Sequence, residues 1–163
     1  MIAKNIIRII LILLVITANI GCDQFSKKFV KRSVFPYETI RVLHDHLTVT
    51  RVENSGAFLS AGDSMSKTSK QIFLTLIPII AMILGLVYLF LKPVSGNMLT
   101  GLCFVIGGGL GNLFDRIMHG SVTDFLFVKV GIFETGIFNL ADVSIMTGML
   151  LIFLQFFTRK YRS

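Results

Sequence analysis

The chain has 163 residues, 53% of them hydrophobic and only 15% charged, with a mean hydropathy of +0.77. Soluble domains carry about 25% charged residues, so a water-soluble fold is excluded and one membrane domain over 1–163 is expected. Net charge is +7, but the basic residues flank apolar runs and form no aromatic-interleaved patch, which favours membrane lipids as partners and argues against nucleic acid.

In chain order, the first apolar run is Ile9 to Cys22, held between Arg8 and Asp23. These fourteen residues reach only about 21 Å at ~1.5 Å each, short of a bilayer core about 30 Å thick. The helix must continue, so a span over about 9–29 is predicted. That carries Asp23 and Lys27 to the membrane boundary, spaced i,i+4 on one face where each offsets the other's charge. The long loop that follows contains Leu47-Thr48-Val49-Thr50, an alternation that signals a strand.

The second span, about 71–91, is uncharged and bracketed by Lys70 and Lys92. Pro78 inside it is tolerated in a membrane helix and is a place for a kink. The third is predicted over about 94–114, ending at Asp115-Arg116. Within it Gly107 and Gly111 form a small-xxx-small pair, a helix-packing signal. The glycine-rich stretch has no following Lys-Ser/Thr and no βαβ setting, so a nucleotide loop is rejected. Phe125 to Ile132 reads as a strand. The fourth span, about 137–158, is interrupted only by Asp142, about a turn inside it.

Four spans put both termini on one side. Lys4, Arg8, Lys92, Arg159, Lys160 and Arg162 mark that side as cytoplasmic by the positive-inside rule. The loop from Gln24 to Lys70 argues the other way, with eight Lys/Arg against four acids. The basic tails flank the spans directly, and N-in, C-in is the preferred orientation. The fold class is therefore an all-α membrane protein: four transmembrane helices with a small extracytoplasmic β element on the outer face.

An ionisable group at membrane depth costs roughly 2.5–3.5 kcal/mol on insertion scales, so Asp142 demands a function. Asp124, between the third and fourth spans, is near enough in sequence to meet it. Two carboxylates a few ångströms apart resist double ionisation and share a proton. Such a pair can deprotonate water and protonate a leaving amine. Asn112 and Arg116 share one helix face, Asn139 and Asp142 another. Asn54, in Glu53-Asn54-Ser55-Gly56-Ala57-Phe58, adds an amide beside a glycine turn. These groups suit an extended, dehydrated peptide.

The ordered blocks Asp23-Gln24 with Lys27, Asn54-Ser55-Gly56-Ala57, Gly111-Asn112 with Asp115-Arg116, Val122 with Asp124-Phe125, and Phe138-Asn139 with Ala141-Asp142 resemble lipoprotein signal peptidase, or signal peptidase II, an intramembrane aspartic peptidase family. The resemblance covers nearly the whole chain. It implies Asp124 and Asp142 as the catalytic dyad, with Asp23, Lys27, Asn54, Gly56, Asn112, Arg116, Asn139 and Ala141 supporting the site or binding substrate. It implies cleavage of prolipoprotein signal peptides just before a diacylglyceryl-modified cysteine, at the outer leaflet of the bacterial inner membrane. No cofactor or metal and a monomeric enzyme are expected. Leu59-Ser60 stand where tryptophan is often found, and Ser26 where threonine is common.

Blander readings compete at several points. Asp124 alone reads as a solvated loop carboxylate, Asp115 as the end marker of span three, and Asp23 with Lys27 as a structural ion pair. His44 and His46 lack a third metal ligand. Cys22 and Cys103 lie at different depths, so no disulfide is expected. Lys4, Arg8 and Ile20-Gly21-Cys22 imitate a lipoprotein leader, but Asn19 is a poor residue there and the other blocks go unexplained. A proton-coupled transporter needs a carboxylate relay across the membrane, whereas the acids cluster at one face.

Overall fold

The computed structural model describes residues 2–43, 46–56, 65–94 and 96–160. In order, the elements are α1 (Ile2–Ser33), β1 (Thr39–Val42), β2 (Leu47–Asn54), α2 (Lys67–Gln71), a π-helical turn (Ile72–Leu76), α3 (Ile77–Leu91), α4 (Gly96–His119), β3 (Val122–Val130), β4 (Phe133–Glu134) and α5 (Leu140–Lys160). His44 and the stretch from Ala57 to Ser60 lie outside the described residues.

Four helical segments are long and apolar enough to cross a membrane: Asn5–Ser33, Lys67–Leu91, Gly96–His119 and Leu140–Phe157. The first continues well past Cys22, as its short apolar run requires. In the second, Pro78 has no N–H to donate and its ring crowds the carbonyl four residues back. The π-helical turn lies just before it, and such wider turns relieve that conflict.

The third helix corrects its expected boundary. It does not stop at Asp115-Arg116 but runs on to His119, because Asp115 is buried and ion-paired rather than facing water. The fourth starts at Leu140, not Ile137. Asp142 therefore lies in its first turn, nearer the helix end than expected.

Helix α4 is the centre of the bundle, packed against α1, α3 and α5. Its glycines explain how. A Cβ on Gly107 would come 2.7 Å from Asn19 Cβ on α1, and one on Gly111 would come 2.6 Å from Asp23 Oδ2. A Cβ on Gly108 would run into the carbonyl of Ala141 on α5. The small side chains let three backbones approach, as packing in lipid demands. Deep in the bundle, Ser144 Oγ donates to Asn19 Oδ1. Apolar packing concentrates around Ile12, Ile16, Leu89, Cys103 and Ile106.

At the far end of α1, Arg8 donates to the carbonyls of Leu89 (2.8 Å) and Lys92 (2.6 Å), closing the open C-terminal end of α3. The start of α1 and the end of α5 are thus at one end of the bundle, and the sheet is at the other.

That sheet has four antiparallel strands in the order β1-β2-β3-β4. Val52 pairs with Asp124, and β2 is irregular between Val49 and Val52. Val30 and Val34 of α1 pack against Phe125, fixing the sheet to the bundle. Strand β3 begins at Val122, earlier than the expected Phe125, so Asp124 is a buried strand residue and not a solvated loop carboxylate. Strands β1 and β4 were not legible. The four residues of β1 are all exposed and β4 has two, so neither carries a burial alternation.

Candidate active site

The site begins with the first turn of α5. Asn139 Oδ1 accepts from the Asp142 N–H at 3.0 Å, and Asp142 Oδ2 accepts from the Asn139 N–H at 3.1 Å. This is a reciprocal capping box, which satisfies two backbone donors that a helix start leaves open. Asp23 takes a further buried donor of that turn. Its Oδ1 accepts from the Ala141 N–H at 3.0 Å across the α1–α5 contact. Negative charge at this helix end is also favoured by the helix dipole.

Asp23 shares Lys27 with a second carboxylate. Lys27 Nζ is 2.7 Å from Asp23 Oδ2 and 2.8 Å from Asp115 Oδ2, with all three side chains almost completely buried. Lys27 also donates to Asn112 Oδ1 at 2.9 Å. Gln24 Nε2 adds bonds to Asp23, Asp115 and the Gly111 carbonyl. A buried cation stripped of such partners is heavily penalised.

Asn112 passes the network to the two aspartates. Its Oδ1 accepts from Asn139 Nδ2 at 3.1 Å while its Nδ2 donates to Asp142 Oδ1 at 2.9 Å. Asn139 Nδ2 in turn donates to Asp124 Oδ1 at 2.6 Å. Asn139, with no exposed surface, therefore touches both carboxylates: Asp124 through its side chain and Asp142 through its backbone. Asp124 and Asp142 thus share Asn139 as a partner.

Strand β2 closes the other flank. Asn54 Oδ1 accepts from the Gly56 N–H at 2.9 Å, an Asx turn, and that fixed amide donates through Nδ2 to Asp124 Oδ2 at 2.8 Å. Arg116 Nη2 reaches the Gly56 carbonyl at 3.0 Å. Burial pushes the Asp124 carboxyl up to about 6. The bonds from Asn54 and Asn139 oppose the rise, and the charge of Asp142 adds to it. Below about pH 6 Asp124 therefore mostly carries a proton.

Every residue singled out from the sequence is here: Asp124, Asp142, Asp23, Lys27, Asn54, Gly56, Asn112, Arg116, Asn139 and Ala141. Asp115 and Gln24, quoted in the blocks above without a site role, join the network as well. Asp115 was read as a span terminus, yet it is the second anion on Lys27. It lies three residues after Asn112, on the same helix face, which was the available signal. Gln24 carried no periodic signal at all. Among the described residues, no group of three or more His, Cys, Asp or Glu is placed to hold a metal ion. The His46 ring lies 3.1 Å from the Lys129 carbonyl. Both cysteines are free.

The family model described as signal peptidase (SPase) II matches residues 11–158. The chain belongs to this family. Its relatives include the lipoprotein signal peptidase of Syntrophus aciditrophicus, 36% identical over 143 residues, covering 86% of this chain and 89% of that protein. The lipoprotein signal peptidase of Clostridioides difficile is 34% identical, covering 93% of this chain and 99% of that one. Among solved structures, a bacterial membrane enzyme determined by the in meso method at 2.3 Å superposes with a TM-score of 0.83 at 27% identity, covering 93% of this chain and 90% of that one. A signal peptidase II is a peptidase, and the four apolar helices make this one a multi-pass membrane protein.

Proposed function

We propose that this peptidase removes the signal peptide from diacylglyceryl-modified prolipoproteins, as an aspartic endopeptidase cutting just before the lipidated cysteine. Membership of the signal peptidase II family and relatives named lipoprotein signal peptidase support the substrate class. The aspartic mechanism rests on one observation: Asn139 joins Asp124 and Asp142, which arrive from a strand and a helix, inside a buried polar network.

In this reading one carboxylate takes a proton from water while the resulting hydroxyl adds to the scissile carbonyl carbon. The other, carrying the shared proton, first donates to the carbonyl oxygen. Collapse of the tetrahedral intermediate breaks the C–N bond, and the leaving amine takes up a proton from the pair. Asn54, Asn112, Arg116 and Asn139 hold the two carboxyls and the extended peptide. Arg116, with a planar fork of donors, contacts the Gly56 carbonyl and guards the side where substrate lies. Asp23 and Lys27, with the backbone of Ala141, keep the start of α5 in place.

The termini are cytoplasmic in this proposal, the sheet end faces outward at the outer leaflet of the inner membrane, and the enzyme works as a monomer. The signal helix arrives laterally through lipid, and the diacylglyceryl chains stay among lipid tails, setting the depth of the cysteine. Two precursors of one sequence, with and without the diacylglyceryl group, test this in the same bilayer. The lipidated form is expected to be cut before its cysteine. Equal cutting of both refutes the lipid-set register, and no cutting of either refutes the function.

A further inference from the structure

The sheet-side end of α1 divides its side chains between two environments. Asp23, Lys27, Val30 and Val34 are buried and face the rest of the protein. At ~100° per residue, Phe25, Lys28, Phe29 and Arg32 fall on the opposite face. Phe25 and Phe29 are 74% and 61% exposed, and Lys28 and Arg32 are exposed as well. The other cations of this helix end are engaged. Lys27 lies between Asp23 and Asp115, and Lys31 is 3.9 Å from Glu53. Among the described residues, the side chains of Lys28 and Arg32 have neither an ion-pair nor a hydrogen-bond partner.

Their depth follows from the helix. Arg8 is the last charge before the apolar run and lies at the other end of the bundle. At ~1.5 Å per residue, Lys28 is about 30 Å and Arg32 about 36 Å along α1 from Arg8. A hydrocarbon core is about 30 Å thick. The two rings therefore lie at or just inside the apolar boundary, and the two cations lie among the headgroups. Lys28 and Arg32 are i,i+4, neighbours on one helix face, so an ammonium and a guanidinium fork can converge on one phosphate.

We propose that this face of α1 binds an anionic phospholipid of the sheet-side leaflet, with Lys28 and Arg32 on the headgroup phosphate and Phe25 and Phe29 against the acyl chains. Charge complementarity selects the anionic lipid, because a zwitterionic headgroup brings its own cation to two that are already unpaired. The apolar part of the site continues the lipid-facing surface of the same helix, where Leu11 and Leu14 are also exposed. The proposal needs only that α1 crosses the bilayer, and it holds for either orientation of the chain. Its consequence reaches the opposite face. The same turns hold Asp23 against the Ala141 N–H and Lys27 against Asn112, so a lipid bound outside fixes the depth of the helix that supports the two aspartates.

The chain contains no tryptophan, so Phe29→Trp gives the full-length enzyme a single reporter at the site. It is placed in phosphatidylcholine bilayers that carry a small fraction of brominated phosphatidylglycerol or brominated phosphatidylcholine. The brominated phosphatidylglycerol is expected to quench the reporter at about one-fifth of the mole fraction that brominated phosphatidylcholine needs. Adding Lys28→Gln and Arg32→Gln is expected to make the two quenchers equal, with quenching by phosphatidylcholine unchanged, which shows that the variant is still inserted. Leu84→Trp on the lipid-facing side of α3 is the reference, where both quenchers are expected to act equally from the start. Equal quenching at the Phe29→Trp reporter overturns the proposal. So does a preference for phosphatidylglycerol that survives the double substitution, or one of the same size at Leu84→Trp. Loss of the preference on adding millimolar inorganic phosphate at constant ionic strength would make this a site for the free anion and overturn the lipid assignment.

Discussion

Helices α3, of 15 residues, and α4, of 24, are neighbours with opposite designs. In α3 only Leu89 is buried, and its many large apolar side chains face lipid. In α4 nine residues are buried, among them Gly107, Gly108, Gly111, Asn112 and Asp115. The more hydrophobic helix is the easier to recognise as a membrane span and carries none of the polar network. The less hydrophobic one touches every other part of the site. In lipid, apolar surface gives no drive for helices to associate, so the central helix is specified by small and polar groups. Hydropathy measures contact with lipid, and the helix that matters most for assembly has the least of it.

The sharpest way to break this comparison is to remove chemistry while keeping the scaffold. Asp124→Asn and Asp142→Asn are each expected to lower cleavage of a lipidated precursor by about a thousandfold or more, with the purified proteins still eluting as folded species. Strong residual turnover by either variant removes that residue from the dyad.

Next in size is the ionic cluster on α4. Asp115→Asn leaves Lys27 with one carboxylate in a buried site, and a loss of about 3 kcal/mol in unfolding free energy is expected. Reversible denaturation in detergent measures it. A variant as stable as the wild type would return Asp115 to the role of a simple helix-end marker. Gly111→Leu should be of comparable severity, because even a Cβ there meets the Asp23 carboxylate. Leucine would force α1 away from α4.

A subtler effect concerns protons. Burial pushes the Asp124 carboxyl up to about 6, and the proposed pair needs one proton, so kcat/KM of the free enzyme should fall as pH rises through that value. The Asn54 bond favours the ionised form. Its loss in Asn54→Ala therefore raises the Asp124 value further, and the falling limb should move to higher pH. A limb that stays in place, or moves down, shows that Asn54 does not bias that proton. The smallest change is expected on α3. Leu84, 63% exposed, faces lipid, and Leu84→Ala should leave both activity and stability within about 0.5 kcal/mol. A loss matching that of Gly111→Leu would erase the distinction between the two helices.

The same contrast explains what the sequence reveals by itself. Spans are legible because lipid contact is written residue by residue. Asp142 is legible because a carboxylate inside a span needs a reason, and Asp124 because it lies close enough in sequence to meet it. Asn112 with Arg116, and Asn139 with Asp142, follow from helical spacing. The capping box that joins Asn139 to Asp142 also follows that spacing, but the one-turn shift in the start of α5 hid it. Asp115 was hidden differently. A charge at the end of an apolar run looks like a boundary until the partner, Lys27 on a helix far away in sequence, is known. Strand β1 was hidden because its four residues are all exposed. Its pairing is set by β2 and not by its own pattern.

The box at the start of α5 has a consequence for how the enzyme comes into being. Each span can enter the bilayer separately, since its own hydrogen bonds are complete. The proposed dyad cannot exist at that stage. Asp142 is oriented by Asn139 and Asn112, and Ala141 by Asp23, so the reactive geometry draws on α1, α4 and α5 together. On the proposed mechanism a nascent chain is thus a silent protease. It acquires the power to cut a peptide only when the helices have found one another, which spares neighbouring signal sequences from an enzyme still being built.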